Sequence, residues 1–71
     1  MYREGNLFRN DRGRWEFDDF ELTSGNFVEL CIDGHWILGT VESCDGKYYW
    51  HSRRDHIQVV LRKGIRARLS S

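Results

Sequence analysis

Two Asp-Gly dipeptides, Asp33-Gly34 and Asp45-Gly46, stand twelve residues apart and divide an apolar-rich stretch, residues 27–51, into three short runs. Two-residue hairpin loops need positive φ angles, which glycine adopts without steric cost. Asp-Gly between alternating runs is therefore among the strongest local hairpin signals. The sequence predicts three antiparallel strands joined as a β-meander in the middle of the chain.

The first dipeptide also sets a register. Pairing across it places Leu30 opposite Ile37 and Val28 opposite Gly39, because a slip of one residue would turn Glu29 toward the core. The residues predicted to share the inner face are Val28, Leu30, Ile32, Ile37, Gly39, Val41, Tyr48 and Trp50. The glycine at position 39, in mid-strand, indicates a bend or a close approach by another group.

The segments on either side of the meander also read as strands. Residues 6–9 and 14–17 flank a turn that ends in Gly13, and Asp18-Asp19 then favours a second turn. Residues 57–69 fit a helical stripe as well, but two alternating runs separated by Gly64 favour strands. We therefore expect a single all-β domain over residues 1–71, with five to seven short antiparallel strands.

The length of the chain argues for a barrel. We expect seventy-one residues to be too few for two packed sheets, and closing one sheet into a small antiparallel β-barrel leaves few edges exposed. Three Trp, three Tyr and four Phe supply core material, since each buried aromatic ring removes on the order of 150–250 Å² from water.

The composition limits the cellular compartment and the kinds of partner that we expect. No apolar run is long enough for a signal peptide or a membrane span, so we expect a cytoplasmic protein without a membrane partner. The predicted register keeps Cys31 and Cys44 about 26 Å apart, which excludes a disulfide and makes both free thiols. Eleven basic and eleven acidic residues cancel, which argues against a generic polyanion binder.

Catalytic and metal sites are not indicated. The candidate metal ligands His35, His51, His56, Cys31 and Cys44 show no paired spacing, and the predicted register scatters them. The register predicts that Cys44 and His51 are diagonal neighbours, but a cysteine nucleophile also needs an oxyanion donor, and we interpret the pairing as accidental. No glycine-rich phosphate loop is present. We expect no enzyme activity, no cofactor and no small-molecule ligand.

Two binding surfaces remain as alternatives. The predicted outer face gathers Phe27, Trp36, Leu38 and Tyr49, which favours a protein-interaction module unless the N-terminal hairpin covers that face. The second surface would bind nucleic acid weakly and without sequence preference. Its basic residues are Arg53, Arg54, Arg62, Lys63, Arg66 and Arg68, of which the last two are expected to face water. The sequence leaves the partner and the oligomeric state open.

Residues 22–29, 33–42, 48–50 and 62–69, together with the N-terminal Gly-Arg-Trp-Glu segment, resemble a family of small uncharacterised bacterial domains. That resemblance implies an origin in Gram-positive bacteria and their mobile elements, and no known function. The central Asp-Gly, Trp and Val pattern also resembles Tudor-type and other Src-homology-3-like barrels. The Tudor resemblance implies an aromatic cage around a methylated cation, for which Trp36 and Tyr49 are the candidates.

Overall fold

The computed structural model describes residues 2–70, and its regular structure is entirely β. Its strands, all paired antiparallel, are β1 (Tyr2–Asn6), β2 (Phe8–Arg9), β3 (Trp15–Phe17), β4 (Phe20–Glu21), β5 (Phe27–Ile32), β6 (His35–Cys44), β7 (Lys47–Ser52), β8 (Ile57–Val60) and β9 (Arg66–Ser70). The all-β class and the strands within residues 57–69 are therefore confirmed. There are more strands than the five to seven expected, because β2 and β4 have only two residues each.

Both Asp-Gly dipeptides form the predicted two-residue hairpin loops. The φ angles are 50° at Asp33 and 80° at Gly34, and 52° at Asp45 and 78° at Gly46. Two successive positive φ angles match a type I′ turn, whose twist suits the flanking strands. The predicted register of β5 and β6 is confirmed across its length, from the pair next to the loop to Val28 opposite the glycine at position 39.

A third tight turn of this kind joins β3 to β4. Asp18 and Asp19 both have positive φ, 47° and 62°, and Phe17 pairs directly with Phe20 across them. Aspartate tolerates this conformation better than most residues because its side chain bonds locally. The two adjacent carboxylates thus form a turn, as the sequence indicated.

The strands form two sheets instead of one barrel. A six-stranded sheet has the order β1-β9-β5-β6-β7-β8, and a three-stranded sheet has the order β2-β3-β4. Within residues 2–70 no ladder joins the outermost strands β1 and β8, so no closed barrel is found and the Src-homology-3-like barrel is not confirmed. The argument from length was wrong, because strands of two, three and two residues suffice to build the second sheet.

The chain passes from one sheet to the other at Leu7. The N–H of Leu7 donates to the carbonyl of Ile65 (2.8 Å), and its own carbonyl accepts from the N–H of Gly64 (2.9 Å). Asn6 belongs to β1, where it pairs with Arg66, and only Phe8–Arg9 enter the N-terminal hairpin. The first strand of that hairpin is therefore shorter than the predicted residues 6–9.

The core lies between the two sheets. Its buried side chains come from the N-terminal third (Leu7, Phe17 and Leu22), from the larger sheet (Val28, Leu30, Val41, Trp50 and Ala67) and from Leu61 after β8. The N-terminal hairpin consequently covers the inner face of the six-stranded sheet. The alternative in which it covers the outer face is wrong.

Trp50 crosses the inner face directly over Gly39. A Cβ atom added at position 39 would lie 2.5 Å from Cζ2 of Trp50 and 2.5 Å from the carbonyl oxygen of His51, closer than real Cβ contacts allow. The indole N–H donates to the carbonyl of Val28 (2.9 Å), and the ring is fully buried. The mid-strand glycine thus marks a close approach, as predicted.

Candidate contact surface on the outer sheet face

The outer face of the six-stranded sheet carries exposed apolar side chains. Phe27 is 68% exposed, Leu38 58% and Val60 62%. Trp36 and Tyr49 lie on the same face and are half-buried. A small domain usually buries its large apolar side chains in its core, so a group of them exposed on one face indicates a contact surface.

The register divides these residues into two clusters. Leu38 is diagonal to Phe27, which pairs with Thr40, and it lies two residues from Trp36. We call Phe27, Trp36 and Leu38 the β5–β6 cluster. Tyr49 pairs with Val60 on the other side of the sheet. Between the two clusters runs a polar row of Thr40, His51 and Glu42, in which His51 Nε2 lies 3.5 Å from a Glu42 carboxylate oxygen. The predicted single group of four side chains is therefore split, with Tyr49 apart from the others.

Trp36 is held in place by charged neighbours. The guanidinium carbon of Arg68 lies 4.3 Å from the Trp36 ring centroid, and Arg68 Nε donates to Glu29 Oε1 at 2.6 Å. A guanidinium on an aromatic face is attracted by the ring quadrupole, and the carboxylate fixes its position. The β5–β6 cluster is thus partly preorganised.

Trp36 and Tyr49 do not form the aromatic cage that the Tudor resemblance implies. Tyr49 pairs with Glu42, and Glu42 lies six positions from Trp36 along β6, a distance of roughly 20 Å. Aromatic rings at that separation cannot enclose one cation. One face of the Trp36 ring already holds the Arg68 guanidinium.

An open groove runs beside the β5–β6 cluster. Its volume is about 460 Å³, and it separates Phe27 and residues 36–40 on one side from residues 51–55 on the other. The loop on the far side is folded on itself: Asp55 N–H donates to Ser52 Oγ (3.4 Å), and Ser52 Oγ lies 3.3 Å from the Asp55 carboxylate. Arg53 and Arg54 are exposed in that loop.

The six basic residues of the C-terminal segment do not form one surface. Arg66 is exposed, as expected, although its Nε donates to Glu4 Oε2 (2.6 Å), whereas Arg68 is half-buried and ion-paired with Glu29. The other four are Arg53, Arg54, Arg62 and Lys63. They lie in two pairs beyond opposite ends of β8, at least a strand length of roughly 13 Å apart. The candidate nucleic-acid surface is therefore divided.

The residues weighed for catalysis and metal binding are also dispersed. Cys44 is exposed and Cys31 half-buried, and both thiols are free. His51 pairs with Thr40, four positions from Cys44 along β6, so the thiol and the imidazole are roughly 13 Å apart instead of diagonal neighbours. Within residues 2–70 no three His, Cys, Asp or Glu side chains come close enough to hold a metal ion.

A cluster of charged and polar side chains surrounds Glu21 on the three-stranded sheet. The Glu21 carboxylate accepts hydrogen bonds from Arg12 Nη2 (2.6 Å), Asn10 Nδ2 (2.7 Å) and Arg14 Nη1 (3.1 Å). These donors favour the ionised form, so Arg12 first and Asn10 second hold the pKa of Glu21 below its ordinary value. The Glu21 carboxylate finds all three of these donors within the chain, which indicates a structural role for the cluster.

Sequence reasoning missed Val60 as an outer-face residue. The alternation of Ile57, Val59 and Leu61 drew attention to the opposite face, and the same alternation turns Val60 outward. Its position opposite Tyr49 depends on the β7–β8 register, which no Asp-Gly turn signals.

Comparison with known proteins identifies one family. A family model described as a domain of unknown function, DUF5348, matches residues 5–69. No curated protein and no solved structure matches the chain. Within residues 2–70 there is also no helix that could cross a bilayer.

Proposed function

The chain belongs to the DUF5348 family of domains of unknown function, and we propose that it is a non-enzymatic module that binds a partner protein through the β5–β6 cluster and its groove. The observation that carries the proposal is the exposure of Phe27 and Leu38 beside an open groove, on a face that the N-terminal hairpin leaves uncovered.

Three features of this surface suit protein recognition. Phe27 and Leu38 offer apolar area, Trp36 is held by Arg68 before any partner arrives, and charged side chains border the groove. Interfaces combine an apolar centre with a polar rim, and aromatic and arginine residues are enriched at their energetic centres. Preorganised side chains lose less entropy when they bind.

The proposed module acts in the cytoplasm. Its two free cysteines fit a reducing compartment, where exposed thiols such as that of Cys44 stay unpaired.

Site-specific photocrosslinking tests the proposal. A photoreactive phenylalanine analogue is placed at position 27 or, as a matched control on the same face, at position 60. Protein adducts formed in the native host from position 27 are identified by mass spectrometry, and the partner is purified for titration. We expect Leu38→Ser to weaken binding at least about tenfold, as truncation of a central interface residue does, and Val60→Ser to change it less than about twofold.

The opposite results would reject the proposal. These are adducts from position 60 only, adducts to nucleic acid from position 27, or equal loss of affinity in the two serine variants. Both side chains are more than half exposed, so we expect neither variant to lower the melting temperature by more than a few degrees.

Weak, sequence-independent nucleic-acid binding is the second candidate. It rests on Arg53 and Arg54, which are exposed and form no ion pair within the described part of the chain. Two arginines neutralise few phosphates, so any affinity would be low and would fall steeply with salt. Fluorescence anisotropy with short single-stranded DNA and RNA at low ionic strength measures it, and no change in anisotropy would remove this candidate.

A further inference from the structure

Backbone groups of β6 alternate between its two neighbours. The N–H of Val41 donates to the carbonyl of Asn26 (2.9 Å), and the carbonyl of Val41 accepts from the N–H of Gly25 (2.7 Å). Odd-numbered residues of β6 therefore hydrogen-bond on the β5 side. In an antiparallel ladder the even-numbered residues between them turn their N–H and C=O groups to the opposite side of the strand. Trp36 and Leu38 consequently direct their N–H and C=O groups toward the β7 side.

β7 does not extend far enough to meet these groups. Its pairing with β6 ends at Thr40 opposite His51, and the strand itself ends at Ser52. From residues 2–70 no backbone or side-chain hydrogen bond is made to Trp36 or Leu38 from that side. Unpaired donors and acceptors in a row are a template for another strand.

The groove provides space for such a strand. It separates residues 36–40 from residues 51–55 and has a volume of about 460 Å³. A strand in a sheet lies about 4.8 Å from its neighbour, which is the place that a longer β7 would have occupied. The bond between Ser52 and Asp55 folds the loop on itself at the far wall.

We propose that an extended segment of the partner protein binds in this groove as an added strand beside β6, hydrogen-bonded to the backbone of Trp36 and Leu38. This inference rests on the proposed function and specifies the form of the partner. In strand addition the main chain supplies affinity and alternate side chains supply specificity.

The lining of the groove determines the chemistry of the segment. Alternate residues on its outer side lie beside Trp36 and Leu38 of β6, so they are apolar. Arg53 and Arg54 stand at the opposite wall with no ion pair in the described chain, while Asp55 is engaged by Ser52. The segment therefore alternates apolar residues with Asp or Glu.

A second copy of this chain is a poorer occupant. Antiparallel pairing of two β6 edges would bring the Arg53-Arg54 loops of both copies to one interface, and like charges there oppose association.

Selection from a displayed library of random dodecapeptides tests the inference against the full chain. We expect enriched peptides to alternate β-branched or aromatic residues with Asp or Glu. With a synthesised winner at 100 times its Kd, exchange of the Trp36 and Leu38 amide hydrogens slows by about 100-fold, because only the free protein exposes them. The amide of Val60, which turns to the open edge of β8, keeps its exchange rate.

A backbone variant separates strand addition from side-chain contact. The chain is assembled from segments 1–30, 31–43 and 44–71 by ligation at Cys31 and Cys44, with the α-hydroxy analogue of leucine at position 38. This ester keeps the side chain and removes one N–H donor. We expect peptide affinity to fall about three- to tenfold, the effect of one hydrogen bond. The melting temperature should fall by only a few degrees, because the ester carbonyl of Ile37 is a weaker acceptor toward Leu30 in the β5–β6 ladder.

The charge requirement has its own matched pair of variants. Arg53→Glu with Arg54→Glu should weaken the peptide about tenfold or more at low salt. Arg62→Glu with Lys63→Glu makes the same charge change beyond the other end of β8 and should alter affinity less than about twofold.

Several outcomes would contradict strand addition. Failure to enrich any peptide, a basic consensus, or a dimer that peptides do not displace would overturn strand addition. Peptides that are insensitive to the ester at position 38 but sensitive to Leu38→Ser would overturn it while the proposed protein-binding function stands. A peptide affinity that neither the ester at position 38 nor Leu38→Ser changes would count against strand addition and against the proposed protein-binding function.

Discussion

Gly39→Ala should destabilise the domain far more than an alanine in place of a glycine ordinarily does. The new Cβ would lie 2.5 Å from both Trp50 Cζ2 and the His51 carbonyl oxygen, so the indole must move. Overpacking costs about 1–3 kcal/mol, and displacing the indole N–H from the Val28 carbonyl leaves buried groups unpaired at about 1–3 kcal/mol more. We expect a loss of about 2–6 kcal/mol, a large part of the stability of a domain this small.

Gly5→Ala is the matched control. Gly5 also lies in a strand and has an ordinary φ, but the atom nearest an added Cβ would be 3.5 Å away, so the change should fall within about 0.5 kcal/mol or stabilise slightly. Urea unfolding followed by circular dichroism measures both variants. Gly39→Ala should cost less in a Trp50→Leu background, because the contact with the indole is gone while the contact with the His51 carbonyl oxygen remains. Equal unfolding free energies for the two alanine variants would refute the reasoning.

Two further predictions concern the core and the Glu21 cluster. Leu30→Ala should lower the free energy of unfolding by about 2–5 kcal/mol, because Leu30 is fully buried. Ile37→Ala should lower it by on the order of 1–2 kcal/mol, because that side chain is half-buried. Chemical denaturation measures both losses, and a larger loss for Ile37→Ala would contradict the register. Because the folded-state pKa of Glu21 is lowered, its contribution to stability is present above the ordinary glutamate pKa and is lost as pH falls through the folded value. The stability difference between wild type and Glu21→Gln should therefore shrink below about pH 4, and a difference that grows on acidification would contradict this sign.

Local signals made the middle of the chain predictable. The Asp-Gly loops fixed the pairing of β5 with β6 and of β6 with β7, and period-two alternation then assigned inner and outer residues. The glycine at position 39 stood out because a mid-strand glycine has no side chain to contribute, and the indole of Trp50 takes that space.

Contacts between distant parts of the chain were not predictable in the same way. Leu7 moves the chain into a second sheet because it bonds to Gly64 and Ile65, and no short-range pattern encodes that pairing. Likewise Arg68 was expected to face water, because its partner Glu29 is brought beside it only by the pairing of β5 with β9. The open edge of β6 depends on where β7 ends, which the turn chemistry of the hairpin does not specify.

The central claim is that the outer face of the six-stranded sheet is free in the isolated protein. Solvent paramagnetic relaxation, measured on methyl-labelled protein with a soluble gadolinium chelate, tests it directly. Leu38 and Leu30 lie on neighbouring strands but on opposite faces, exposed and fully buried respectively. We predict strong relaxation enhancement at the methyl groups of Leu38 and Val60 and almost none at those of Leu30. Protection of Leu38 equal to that of Leu30 would contradict the claim, because the face would then be covered.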